Sequence, residues 1–268
     1  MKYDVCIVGA GLSGLAALHT LSNESLRVAI VDDRSEIGGN FLKRKWLLDE
    51  PERFNWLVEK EISDSVDVYL NHEAIGVYAD ESLGITDQLS LKQIQAEVYL
   101  QCTGLRELPY LFDGWQLPGV ITLDAFLQLR LIEQVNFPHH IGIVGQNPLL
   151  EIAADKLASE GFNLIRTTTE QSVQTVGNKQ VEYLMLDGEP YPVDIVITSK
   201  GYIPVNELAH LYKKPDAFDY RPQNHPMTLS ERIYRAGQSA AVTTPELSIQ
   251  SGQRVAKEII SNLQKEGV

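Results

Sequence analysis

The 268-residue sequence predicts an α/β fold of two domains, one built from both ends of the chain and the other inserted between them. Three observations predict it. Two stretches, one starting at Tyr3 and one at Ile141, each read as buried strand, glycine turn, helix and strand. Short strand-like segments separated by turn residues follow each of them. The chain then closes on a strand, a small-residue turn and a long amphipathic helix, "RIYRAGQSAAVTTPELSIQSGQRVAKEIISNL".

Composition narrows the class. Apolar residues make up 44% and charged residues 22%, as in an ordinary globular protein. The formal charge is 23 − 36 = −13, which excludes a nucleic-acid surface built from clustered Lys and Arg. No apolar run approaches a membrane span. The opening "MKYDVCIVGAG" is not a signal peptide, because Asp4 and a glycine turn interrupt it, and the cytoplasm is the expected compartment. The two cysteines, Cys6 and Cys102, read as buried structural thiols. The absence of C-x-x-C excludes a disulfide redox centre and a zinc site, so no metal ligands are assigned.

The first unit, "YDVCIVGAGLSGLAALHTLS", places Gly9 at the tight turn and Gly11 where a pyrophosphate nears the backbone. Gly14 sits where the helix packs on the strand. The helix N-terminus offers free N–H groups to phosphates. A second strand, "RVAIVDD", ends in Asp32, 18 residues beyond Gly14, where an acid accepts the hydroxyls of an adenosine ribose. Strand, turn, helix, strand and acid in order make this a Rossmann-like dinucleotide unit. Asp32 is followed by "DRSEIGGN", and the pair Gly38-Gly39 with Asn40 resembles the FAD-dependent enzymes. FAD is therefore favoured over NAD at this site.

Next come a helix in "EPERFNWLVEKEIS" and, from Val66 to Leu100, short strands expected to form an antiparallel meander. "CTG" ends it at Gly104. The turn-rich passage through Pro109, Gly114, Pro118 and Gly119 reads as an interdomain crossing. The second unit, "HIGIVGQNPLLE", has Gly145 at the strand end but Asn147 and Leu150 at the next two glycine positions. Asn147 puts a side chain where a pyrophosphate must approach, and Leu150 should force helix and strand apart. No acid ends the following strand, "FNLIRTTTE"; Arg166 there could at most favour a 2′-phosphate, and reads rather as a solvated strand end. Nicotinamide affinity, for NAD(P), is expected to be mostly lost. Thr244 and Pro245 suit the N-cap and first position of the last helix. The FAD-type domain is drawn at 1–116 and 206–268, and the NAD(P)-binding-like, degenerate domain at 117–205.

Taken together, "VGAGLSG", "VDDRSEIGGN", "CTG", "GWQLPGVIT", "VGQNPLLE", "GYIP" and "AGQSA" resemble the two-dinucleotide-domain flavoproteins related to thioredoxin and disulfide reductases. Within that group "FDGWQLPGVIT" and "GQNPLL" are similar to flavoprotein subunits of amino-acid dehydrogenase complexes. These are hydrogen cyanide synthase, opine oxidase, sarcosine oxidase and dye-linked proline dehydrogenase. The resemblance implies that Gly9, Gly11 and Gly14 bind the FAD pyrophosphate and Asp32 the ribose. It sets Gly38, Gly39 and Asn40 along the flavin side, and Thr103 and Gly104 at the crossing that touches FAD. Gly237 matches a "GD" motif whose acid is here Gln238, a departure, although Gln still donates and accepts.

The activity implied is an FAD-binding oxidoreductase subunit passing electrons within an amine or imino-acid dehydrogenase complex. Its partner would be a second flavoprotein subunit or further copies of the chain. Two alternatives remain open: a stand-alone NAD(P)H-dependent flavin oxidoreductase, and a non-catalytic partner holding an adenine nucleotide in the first site. His72, His139 and His140 stand in no catalytic motif, and no catalytic residue is assigned.

Overall fold

The computed structural model describes residues 2–167, 171–205, 207–211, 228–230, 232–240 and 244–266. Residues 168–170 of "FNLIRTTTE", 241–243 of the closing turn and the boundary residue 206 lie outside them. The chain divides into two compact units. One comprises Met1–Leu42, Glu50–Leu105 and Pro204–Val268, the other Lys43–Asp49 and Arg106–Ile203.

In the first unit β1 (Lys2–Val8) turns into α1 (Leu12–Leu21), and β2 (Val28–Val31) returns parallel to β1 with Val31 opposite Val8. α2 (Phe41–Arg44) and α3 (Glu52–Glu59) lead to β3 (Val66–Tyr69), β4 (Glu73–Val77), β5 (Leu83–Thr86) and β6 (Leu91–Gln101). The expected meander is only partly realised. β3 pairs parallel with β2, extending the central sheet, and only β4, β5 and the start of β6 run antiparallel. β6 changes partner along its length: Leu91–Ile94 face β5, and Gln95–Gln101 lie parallel to β1. Its burial changes with it, from exposed and alternating over "LKQIQA" to continuous over "VYLQ", as expected where a strand becomes central in a parallel sheet.

β7 (Leu105–Leu108) carries the chain into the second unit. There β8 (Val120–Thr122), α4 (Leu123–Leu127, prolonged by a π-helical turn over Gln128–Ile132), β9 (His140–Gly145), α5 (Pro148–Ser159) and β10 (Asn163–Arg166) follow in turn. β11 (Val173–Val176), β12 (Tyr183–Leu186) and β13 (Glu189–Pro192) form an antiparallel sheet of their own before β14 (Ile195–Ser199). The parallel sheet is ordered β10-β9-β14-β8.

The domain edges drawn from sequence, 116/117 and 205/206, differ from the points at which the units divide, 105/106 and 203/204. Residues 43–49 also join the second unit. The reason is packing: Leu47 is buried with Leu123, Phe126, Ile141, Ile143, Leu157 and Ile197, and Trp46 lies against them. Lys156 Nζ donates to the Leu48 carbonyl. Leu150, expected to push helix from strand, instead fills this same core with no exposed surface.

β15 (Gly201–Pro204) pairs with β7, and the chain re-enters the first unit through it. α6 (Glu207–Leu211), β16 (Thr228–Ser230), β17 (Ile233–Arg235), a 3-10 turn over Gly237–Ala240 and α7 (Pro245–Glu266) complete the chain. β17 lies parallel to β6 on the side away from β1. Thr244 caps α7, its Oγ1 accepting the Leu247 N–H at 3.3 Å, with Pro245 in the first helical position. α7 lies directly on α1, where a Cβ at Gly252 would collide with the Ser13 carbonyl. Among the described residues, no helix is long and apolar enough to cross a membrane, and no cluster of His, Cys, Asp or Glu could hold a metal ion.

Candidate functional site

The first glycine turn needs its glycines for two different reasons. At Gly9, φ is +107°, a region L side chains avoid, and a Cβ would strike the Cys102 carbonyl. At Gly14 a Cβ would strike the Gly9 carbonyl, so helix and turn touch backbone to backbone. Gly11 is different. Its backbone is extended, no side chain caps the helix that it opens, and a Cβ there would meet nothing within 4 Å. The space lies at the N-terminal end of α1, where a helix dipole favours an anion.

Asp32 lies at the end of β2, 8% exposed. Its Oδ2 accepts the Ala10 N–H at 2.6 Å and its Oδ1 the Arg34 N–H at 2.9 Å, which leaves acceptor capacity on both oxygens. Burial pushes the carboxyl above its ordinary range, against the pull of those two N–H groups. Gly38 and Gly39 fold back over the same turn: the Gly38 N–H donates to the Ala10 carbonyl, and a Cβ on Gly39 would sit 3.0 Å from the Gly11 Cα. Asn40 accepts from Arg34 and lies beside Gly104, whose φ is +75°. Thr103 Oγ1 donates to the Val205 carbonyl, and the Gln101 amide donates to both Thr103 Oγ1 and that carbonyl. Gly237, with φ of +66°, abuts Ser13, and its N–H donates to Ser251 Oγ. Gln238 follows, half-buried in the 3-10 turn.

All eleven sequence-derived positions thus lie in one unit, and the chain brings them to the N-terminal end of α1 from four separate stretches. Sequence reasoning missed the residues that tie them together. Ser13 contacts both Gly237 and Gly252, Arg34 joins Asp32 to Asn40, and Gln101 anchors Thr103. They are neither the glycines nor the acid that the motifs prescribe, so no local signal marks them.

Cys6 and Cys102 are free and buried, and burial pushes each thiol up to about 12. A thiol at that value carries almost no thiolate near neutral pH. Native protein should therefore leave both cysteines unlabelled by a thiol reagent, and denatured protein should take up label at both. Fast labelling of the native protein would show that this end of the sheet opens.

The second turn is built differently. Gly145 has φ of +144° and lies against the Ser199 backbone. Asn147, 3% exposed, is the N-cap of α5. Its Oδ1 accepts the Leu149 N–H at 3.0 Å, and its Nδ2 donates to Ser199 Oγ at 2.8 Å. Arg166 is exposed at the end of β10, as expected, and pairs there with Asp155 at 2.7 Å, 3.8 Å from Glu151. Near β8, Arg44 forms a two-bond pair with Asp124 at 3.0 and 2.6 Å, with Lys43 at 3.6 Å. The Arg44 guanidinium also stacks on the Tyr202 ring, 4.1 Å from its centre. Burial pushes the Glu107 carboxyl up.

A glycine cradle at one helix, an acid beside it and a second unit on the same plan define a protein of the two-nucleotide-fold class. Residues 3–148 match the pyridine nucleotide-disulphide oxidoreductase family, and the chain belongs to that family, whose members are FAD-dependent oxidoreductases. Hydrogen cyanide synthase subunit HcnB of Pseudomonas protegens is 30% identical over 61% of this chain and 38% of that protein. An opine oxidase subunit from Agrobacterium tumefaciens is 27% identical over 59% and 35%. The chain therefore spans less than half the length of these curated relatives. The L-proline dehydrogenase structure from P. horikoshii superposes with a TM-score of 0.83 at 21% identity, covering 98% of this chain and 56% of that one, which shows a shared fold.

Proposed function

We propose that the first unit is an FAD-binding domain and the second an NAD(P)-binding-like domain that no longer holds a nicotinamide nucleotide. The chain would act in the cytoplasm as one subunit passing electrons within an amine or amino-acid (imino-acid) dehydrogenase complex. The observation that carries the FAD assignment is the open space at Gly11, roofed by Gly38-Gly39 and flanked by Asp32. That cradle fits a pyrophosphate with an adenosine ribose on one side. Gly9, Gly11 and Gly14 would receive the phosphates, Asp32 the ribose, and Gly39, Asn40, Thr103, Gly104, Gly237 and Gln238 the flavin half. FAD, when bound, supplies the hydride and electron chemistry; the chain supplies position, exclusion of water and the α1 dipole.

The complex is supported by the relatives, both described as subunits. Tagged full-length chain, purified from its own cells, should bring down a second flavoprotein, and the pair should reduce a dye with an amine or amino acid as donor. A chain that purifies without a partner and reduces the dye with NADPH instead would overturn the proposal in favour of a stand-alone reductase.

A further inference from the structure

The two strand–turn–helix units are internal controls for one another, because they share a plan and differ in what lies against the helix N-terminus. At α1 no side chain caps the helix, and the space beyond Gly11 is open. At α5 the same position is filled by the Asn147 amide, buried and bonded on both sides, to the Leu149 N–H and to Ser199 Oγ. A phosphate entering there would find the first-turn N–H already used.

The neighbouring helix is closed in the same way. At the carboxyl end of β8, Thr122 Oγ1 accepts the Ala125 N–H at 3.3 Å, and Glu107 Oε2 accepts the Asp124 N–H at 2.7 Å. In an open α/β sheet, ligands bind outside the carboxyl ends of the strands. Here that rim carries the carboxylates of Glu107, Asp124 and Glu151. The cations nearby are engaged: Arg44 and Lys43 with Asp124, Arg166 with Asp155 and Glu151. The Asp124, Ala125 and Leu149 N–H groups are satisfied, and the cations are held by carboxylates.

We propose that the second unit is a dinucleotide fold closed by its own side chains, with Asn147 as the plug that excludes a pyrophosphate-bearing ligand. Asn is suited to this because its amide accepts from the helix and donates to Ser199 at once. Ser199 is fully buried, so a ligand that displaced Asn147 would also leave its hydroxyl without that donor. The inference rests on the reading of this unit as NAD(P)-binding-like, and makes Asn147 the residue that decides its specificity.

The test is equilibrium binding of NADH and of NADPH, followed by nicotinamide fluorescence, to the full chain and to its Asn147→Gly and Asn147→Ala variants. Glycine replaces asparagine at an N-cap at small cost, so Asn147→Gly should fold. The parent should show no binding at about 1 mM nucleotide, whereas both variants should bind at least roughly tenfold tighter than the parent. Variants as silent as the parent would overturn the plug while leaving intact the reading that no nicotinamide binds. A parent that binds NADH as tightly as the variants would overturn both.

Discussion

A methyl group added at Gly14 should destabilise the protein, while the same methyl at Gly11 should leave it folded and strip it of its flavin. Gly14→Ala places a Cβ against the Gly9 carbonyl, a backbone atom in a turn held by Asp32 and by the Gly38 strand crossing. In an open helix the change would gain about 1 kcal/mol of propensity. Here the clash outweighs that gain, because overpacking against fixed backbone costs about 1–3 kcal/mol and sometimes more. A net loss near 2 kcal/mol corresponds to a melting temperature lower by roughly 4–8 °C. Gly11 has an extended backbone that alanine adopts without strain, and its Cβ would enter open space. Ligand-free Gly11→Ala should therefore melt within a few degrees of the parent, the N-cap change costing at most about 1 kcal/mol. Its flavin content should fall at least roughly tenfold. Thermal melts and flavin-to-protein ratios on both variants check this. A Gly11→Ala protein that keeps its full flavin complement would mean that the phosphates do not lie there.

The second large effect is expected at Asp124. Burial pushes this carboxyl up, but the two Arg44 hydrogen bonds, the Arg44 and Lys43 charges and the Tyr202 hydroxyl outweigh it and hold it below the usual carboxylate range. Its folded pKa is depressed, so its contribution to stability is complete above the unfolded carboxylate value and is lost as pH falls through the folded value. Asp124→Ala leaves the Arg44 guanidinium, 11% exposed, buried without its counter-ion. Breaking one side of such a pair costs about 3–5 kcal/mol, more than the pair itself is worth. Urea melts of Asp124→Ala at neutral pH should show that loss, and the gap from the parent should narrow in acid. A double variant in which Arg44→Leu accompanies Asp124→Ala should recover part of it. An Asp124→Ala protein as stable as the parent would show that Arg44 finds another partner.

Much of the first unit is legible in the chain because its signals are local. Gly9, Gly11, Gly14 and Asp32 lie within one strand–turn–helix–strand segment, and each spacing has one mechanical reading. What is not legible depends on long-range pairing. The strand pattern of "VDVYL" does not state that it will lie parallel to β2 rather than start a hairpin, since alternation is the same in both. The transfer of residues 43–49 to the second unit depends on Leu47 finding the core around Phe126 and Ile141, far along the chain. At the second turn, the substitutions Asn147 and Leu150 are visible in the sequence, but their consequences are not. Leu150 is absorbed by the core instead of prising helix from strand, and Asn147 becomes a cap bonded to Ser199.

The central claim is that the cradle at Gly11 holds FAD, and identifying the ligand released from purified full-length protein tests it most directly. The native protein should show the visible absorption bands of a flavin, and mass spectrometry of the denatured supernatant should find FAD, close to one per chain. A colourless protein that releases an adenine nucleotide without flavin, or that cannot be reconstituted with FAD, would contradict it.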